Sequence, residues 1–203
     1  MQSMIGEEIG YSPISILSNS IPGWGTCRSK IGQRLILSDI LTSGAICYKC
    51  LKFTIRSVNV IQIHSHGLYQ CHTTYKEAMS SCSDNVFREE IMLYKKLEYH
   101  SDSSERGIVC PLQGRWTIAE TQNLCKRSEV RTCPMESRLD VILRYCFDFS
   151  GTHKKNPIHF KFECIGHWDD NGLKYLALLD AELPLLGERS KPQYRCAVSK
   201  MFL

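Results

Sequence analysis

The stretch HFKFECIGHWDDNGLKYLALL, His159–Leu179, decides the fold class. Phe160, Phe162 and Cys164 alternate with Lys161 and Glu163, the period of two that puts apolar side chains on one face of a half-buried strand. Asn171-Gly172 follows, a pair suited to the left-handed dihedrals of a type I′ turn, so the run predicts a β-hairpin. Asp169 and Asp170 resemble a pair of catalytic acids, but they fall at that turn and are read as turn residues.

Outward from this hairpin, RWTIA (Arg115–Ala119), LDVILRYCF (Leu139–Phe147) and QYRCAVSKMF (Gln193–Phe202) are rich in strand formers. Together they predict about five or six strands arranged as an antiparallel meander, a small barrel or a sandwich. Nearer the start, RLILSDIL (Arg34–Leu41), ICYKCLKFTIRS (Ile46–Ser57) and NVIQIHS (Asn59–Ser65) read as strands. TTYKEAMSSC (Thr73–Cys82) reads as a helix that Thr73 or Thr74 can cap, while EIMLYKKL (Glu90–Leu97) suits either a strand or a helical turn. EYHSDSSERG (Glu98–Gly107) is polar, lacks apolar periodicity and reads as a linker. The expected fold is mainly β: two small, disulfide-stapled antiparallel modules, meander-like or barrel-like, at 1–97 and 108–203, with one short helix in the first.

Composition is that of a folded chain: 203 residues, 43% hydrophobic and 23% charged. The 25 basic and 21 acidic residues leave a net charge of +4 spread along the sequence, which excludes the concentrated basic footprint of a nucleic-acid binder. The eleven cysteines are more decisive. They are dispersed, the habit of a disulfide framework in an oxidising compartment. The first residues, MQSMIGEEIGYSPISIL, have acids where a secretory signal needs a basic and then an apolar segment. No run reaches the ~18 apolar residues of a membrane span. The expectation is a fragment of an extracellular protein, secreted or anchored through a segment outside this chain, whose upstream part supplies a twelfth cysteine.

Cys47 and Cys50 form a Cys-x-x-Cys, the spacing of zinc knuckles and dithiol oxidoreductases. Zinc needs a second matched pair, which the sequence lacks, and a redox dithiol belongs at a helix start, whereas these residues lie in a β-rich run. At odd spacing on a strand the two point to opposite faces, so each is expected to bond elsewhere. Tyr48-Lys49-Cys50 is echoed by Tyr194-Arg195-Cys196, which suggests the closing strand of a module that occurs twice. On that analogy Cys110 pairs with Cys196. Order along the chain then suggests Cys125–Cys133, Cys146–Cys164, Cys27–Cys47 and Cys71–Cys82, with Cys50 unpaired, although six cysteines in the second module leave the connectivity open.

The residues CYKCLKF, NVIQI, CPLQGRWTI, SRLDVILRYC, CIGHW, YLALL and YRCAV, in that order, resemble a tandem cysteine-rich ectodomain family of arthropods and other invertebrates, catalogued as consecutive domains of unknown function. Cys47–Cys50, Asn59–Gln62, Cys110–Trp116 and Tyr194–Cys196 carry the match, with Lys49 in place of arginine and Ile63 in place of tyrosine. The resemblance runs from about Cys27 to Val198 and lacks the family's upstream segment, so the first module is expected to be truncated at its start. It implies an extracellular protein with no assigned reaction.

Of the remaining candidates, His64, His66 and His72 invite a metal reading, but spacing implies no further ligand and solvent-facing histidines are the simpler expectation. No Gly-x-Ser-x-Gly, His-Glu-x-x-His or phosphate-cradling loop occurs, so neither catalysis, a cofactor nor a metal is expected. Gly114-x-Trp116 at the start of a meander is similar to the first strand of lipocalin-like barrels, where an arginine on the last strand, here Arg195, packs over the tryptophan. A core position for Trp116 is the expectation. Two functions follow: a non-enzymatic extracellular binding ectodomain with an unidentified protein partner, or a carrier of a small apolar ligand in a calyx-like barrel.

Overall fold

A computed structural model describes residues 13–96, 107–118, 128–132, 136–144, 157–181 and 194–199. The chain divides into two compact units, Met1–Ile55 with Ile61–Leu93, and Arg56–Val60 with Tyr94–Leu203. Apart from Gly107, the linker expected at 98–107 lies outside the described residues.

The first unit is built on strands β1 (Ser20–Ile21), β2 (Gly25–Ile31), β3 (Arg34–Ile40), β4 (Ile46–Ser57), β5 (Val60–Ser65) and β6 (Glu89–Tyr94), with helix α1 (Tyr75–Ser80) between β5 and β6. The six strands lie side by side in chain order. Antiparallel partners share a face, so the registers Leu35↔Leu51 and Leu37↔Lys49 define one side of the sheet and Ile36↔Cys50 the other. The first side carries a core of Ile21, Trp24, Leu37, Leu51 and Ile63. On the second, Ile36 and Cys50 pack against Ala78 and Cys82. Helix α1 is short and depends on its cap: Thr74 accepts from the Glu77 backbone N–H while the Glu77 side chain accepts from the Thr74 backbone N–H.

The second unit contains β7 (Arg115–Thr117), β8 (Glu129–Arg131), β9 (Arg138–Leu143), β10 (Ile158–Asp170), β11 (Leu173–Asp180) and β12 (Tyr194–Ser199), again in sequential antiparallel order. The expected hairpin is present. Asp170 pairs with Leu173 around Asn171 and Gly172, whose φ values of 50° and 75° are those of a type I′ turn. Phe162 and Cys164 share the face on which Cys110, Leu139, Leu176 and Leu178 form a core. Both sheets are therefore open meanders among the described residues, and neither closes into a barrel.

Among the described residues three disulfides are present: Cys47–Cys71, Cys50–Cys82 and Cys110–Cys164. The pairings expected for Cys27, Cys47, Cys71, Cys82, Cys110, Cys164 and Cys196 do not form, and Cys50 is bonded rather than unpaired. Cys27 lies on β2 and Cys47 on β4, two strand spacings apart, roughly 10 Å, beyond the reach of a disulfide. Cys196 faces away from Cys110 because it is opposite Ala177, whereas Cys164 and its partner Leu178 face Cys110's side. Cys125, Cys133 and Cys146 lie outside the described residues. Cys27 is the half-buried thiol left without a disulfide.

One buried charge organises the far end of the second sheet. Glu129, its side chain 7% exposed, accepts from Arg115 and from Arg144 at 3.0 Å. The Arg144 hydrogen bond holds its carboxyl below the ordinary value of 4.5; burial opposes this and Arg115 reinforces it. A lowered folded-state pKa means stability that is present above the unfolded value and lost as pH falls through the folded one. Glu129→Gln is expected to flatten the fall in urea midpoint below about pH 4.5, followed by tryptophan fluorescence. Parallel profiles for the variant and the parent would dismiss this role.

Candidate functional site

The first unit holds an apolar groove of about 500 Å³. Its floor comes from the core-facing positions of neighbouring strands: Leu35 and Leu37 of β3, Phe53 and Ile55 of β4, and Ile61 of β5. Odd positions of β4 reach it because Leu35 is opposite Leu51, which fixes the parity of the whole strand. One wall is the segment 16–21 preceding and including β1, tied down by the Cys27 N–H donating to the Asn19 carbonyl at 2.7 Å and the Leu17 N–H donating to the Ser20 carbonyl at 2.9 Å. Ile16, Leu17 and Ile55 stay at least half exposed and form an apolar lip.

Strand β2 supplies the polar part. Its register to β3 shifts between Cys27 and Ser29, a β-bulge with Arg28 as the extra residue. In a regular strand, residues three apart face opposite ways. The bulge instead sets Cys27 opposite Leu37 and Lys30 opposite Leu35, so both residues line the groove. Ser29 faces the α1 side, where its hydroxyl lies 2.9 Å from that of Tyr75. Arg28 donates through Nε to Ser38 Oγ at 2.6 Å.

The residues singled out from sequence are placed differently. Cys47 and Cys50 do face opposite sides of β4, each bonded to its own partner, so they form neither a zinc pair nor a dithiol. The shared Tyr-basic-Cys is not a common closing strand. Tyr48–Cys50 lies on β4, which has neighbours on both sides, and Tyr194–Cys196 lies on β12 at a sheet edge. Trp116 is 42% exposed instead of being a core residue, and its indole N–H donates to the Gln113 carbonyl at 2.9 Å. Arg195 is on β12 and Trp116 on β7, at opposite ends of the sheet, so the expected stacking is absent. Gly114, with φ of 92°, turns the chain into β7 and exchanges hydrogen bonds with Thr132. Tyr194 stacks on Tyr94 with ring centroids 4.6 Å apart.

The histidines are half-buried, not solvent-facing. His66 and His72 have ring centroids 6.3 Å apart, and His64 Nε2 lies 3.9 Å from Glu90. Among the described residues no group of three or more His, Cys, Asp or Glu is arranged to hold a metal ion. The groove itself escaped the sequence reading, because β2 hides its period behind the bulge. The usable signal was Cys27 and Lys30 at an odd spacing in GTCRSKI.

Comparison with protein families gives two consecutive matches, a domain of unknown function (DUF7044) over residues 2–87 and another (DUF7042) over residues 106–201. No curated protein and no solved structure matches the chain. The two matched segments lie one after the other and take in the groove and the second meander respectively: the chain carries two domains of unknown function in tandem, a DUF7044 match followed by a DUF7042 match.

Proposed function

We propose that the protein is a non-enzymatic extracellular binding protein whose first domain takes up a small apolar ligand. The groove carries this reading: its volume is within the ~300–1,000 Å³ typical of small-ligand sites, and its walls are chiefly aliphatic and aromatic. Disulfides hold its scaffold, with Cys47–Cys71 and Cys50–Cys82 anchoring β4, the strand that supplies Phe53 and Ile55. Disulfide use also supports the extracellular assignment, and no described helix is long and apolar enough to cross a membrane. The groove that supports this reading lies in the first domain, whereas Trp116 belongs to the sheet of the second.

The neutral fluorophore N-phenyl-1-naphthylamine tests the reading. Its emission is expected to rise on binding with a micromolar Kd, and Ile16→Glu with Ile55→Glu, both at exposed positions, is expected to weaken binding about tenfold by placing carboxylates at the lip. Unchanged emission with the parent protein would reject the reading.

A second reading, docking to an extracellular protein, is supported by the tip of the β3–β4 hairpin. Ile40, Leu41 and Ile46 stand 71%, 41% and 46% exposed there, with no charged residue between Ile40 and Ile46.

A further inference from the structure

We infer that the groove's ligand is an amphiphile with an aliphatic tail and an anionic head, and that Lys30 meets the head. This rests on the reading of the groove as an apolar-ligand site. Lys30 is the one formally charged residue among those lining the groove. It makes no ion pair with any described residue, whereas the basic residues Arg34 and Lys52 of the same domain share Asp84. An uncompensated ammonium beside an apolar floor complements a ligand that is apolar along its length and negative at one end.

The bulge makes this arrangement specific. Without a register shift, Cys27 and Lys30 would face opposite sides of β2; with it, an apolar-compatible thiol and a cation line one groove. Lys30 is solvent-exposed and opposite Leu35, a position from which a lysine keeps its ammonium hydrated while its methylene stem can cover the neighbouring apolar residue. The tail then supplies most of the affinity and Lys30 the choice of head.

The experiment compares lauric acid, dodecyl phosphate and dodecanol as competitors of N-phenyl-1-naphthylamine at low salt, near neutral pH. Alkylation of Cys27, followed by peptide mapping, gives a second readout, since the thiol lines the groove. The two anionic ligands are expected to bind about two- to fivefold more tightly than the alcohol, the scale of an exposed ion pair, and the preference should shrink as salt rises. Lys30→Gln should bring the three together and Lys30→Glu should favour the alcohol, with the intrinsic fluorescence of Trp24 unchanged. All three ligands should slow Cys27 alkylation. Preference for only one of the two anions would identify the head as carboxylate or phosphate, within the proposal. Equal binding of acid, phosphate and alcohol by the parent protein would overturn the role of Lys30 and leave the apolar-ligand reading standing. If none of the three displaces the fluorophore or protects Cys27, both fall.

Discussion

Replacing Cys110 and Cys164 together by alanine is expected to destabilise the second unit by about 4 kcal/mol. The bond closes a loop with a sequence separation of 54, the widest among the disulfides of the described residues, against 24 and 32 for Cys47–Cys71 and Cys50–Cys82. Loop-closure entropy grows with the logarithm of length, giving about 4.2 kcal/mol for this bridge and about 3.5 and 3.7 for the others. Both sulfurs belong to residues with no solvent exposure, in a core shared with Leu139, Leu176 and Leu178, so the substitution also thins the packing there. The measurement is urea unfolding followed through Trp168, which stacks on Tyr175 at 5.4 Å inside the second sheet. A midpoint equal to the parent's would show that the bridge only decorates a core that is stable without it.

The substitution Gly25→Ala is expected to cost the first unit about 3 kcal/mol or more. Two independent effects add. The backbone at Gly25 has φ of 127°, a region that residues with a Cβ rarely enter. An added Cβ would also lie 2.6 Å from the Ser38 carbonyl oxygen and 2.8 Å from its carbon, both backbone atoms of the adjoining strand that have no rotamer to yield. Relief requires β2 to move away from β3, which loosens the start of the strand that carries Cys27 and Lys30. Trp24, the neighbouring residue and a member of the first core, reports the transition. Gly23→Ala is a control that separates the two effects, since φ there is 80° but no atom lies within 4 Å of an added Cβ; its cost is expected near 1 kcal/mol. Equal losses for both variants would remove the close approach to Ser38 as a cause.

How much of this was legible in the sequence depended on whether a feature is local. Strand β4 coincides with the run ICYKCLKFTIRS, and the β10–β11 hairpin with Asn171-Gly172, because each is specified by neighbouring residues. Helix α1 was legible through Thr74-x-x-Glu77, a capping box that acts within one turn. Strand β2 was not, since its bulge breaks the alternation that marks a strand and its exposed face carries polar residues. Connectivity of the cysteines depends on which strand lies beside which and on the face each side chain takes. Order along the chain carries neither and misses the Cys50–Cys82 bond, and the Tyr-basic-Cys echo misses the Cys110–Cys164 bond for the same reason. The odd spacing of Cys47 and Cys50 did carry one usable fact, their opposed faces. The groove was invisible for the same reason: its walls come from the segment before β1 and from five different strands.

The sequential order of both sheets bears on how the chain is made. Within each sheet every strand is hydrogen-bonded to its neighbour in sequence, so no strand waits for a partner beyond the next strand of its own sheet. Hairpins can zip one after another as the polypeptide emerges. Both bridges of the first unit join cysteines within residues 47–82, and their oxidation needs nothing downstream of Cys82. The bridge from Cys110 cannot close until Cys164, 54 residues further on, has been synthesised. Oxidation therefore has a built-in chronology, with the two bridges of the first unit free to close before Cys164, and with it the Cys110–Cys164 bridge, exists.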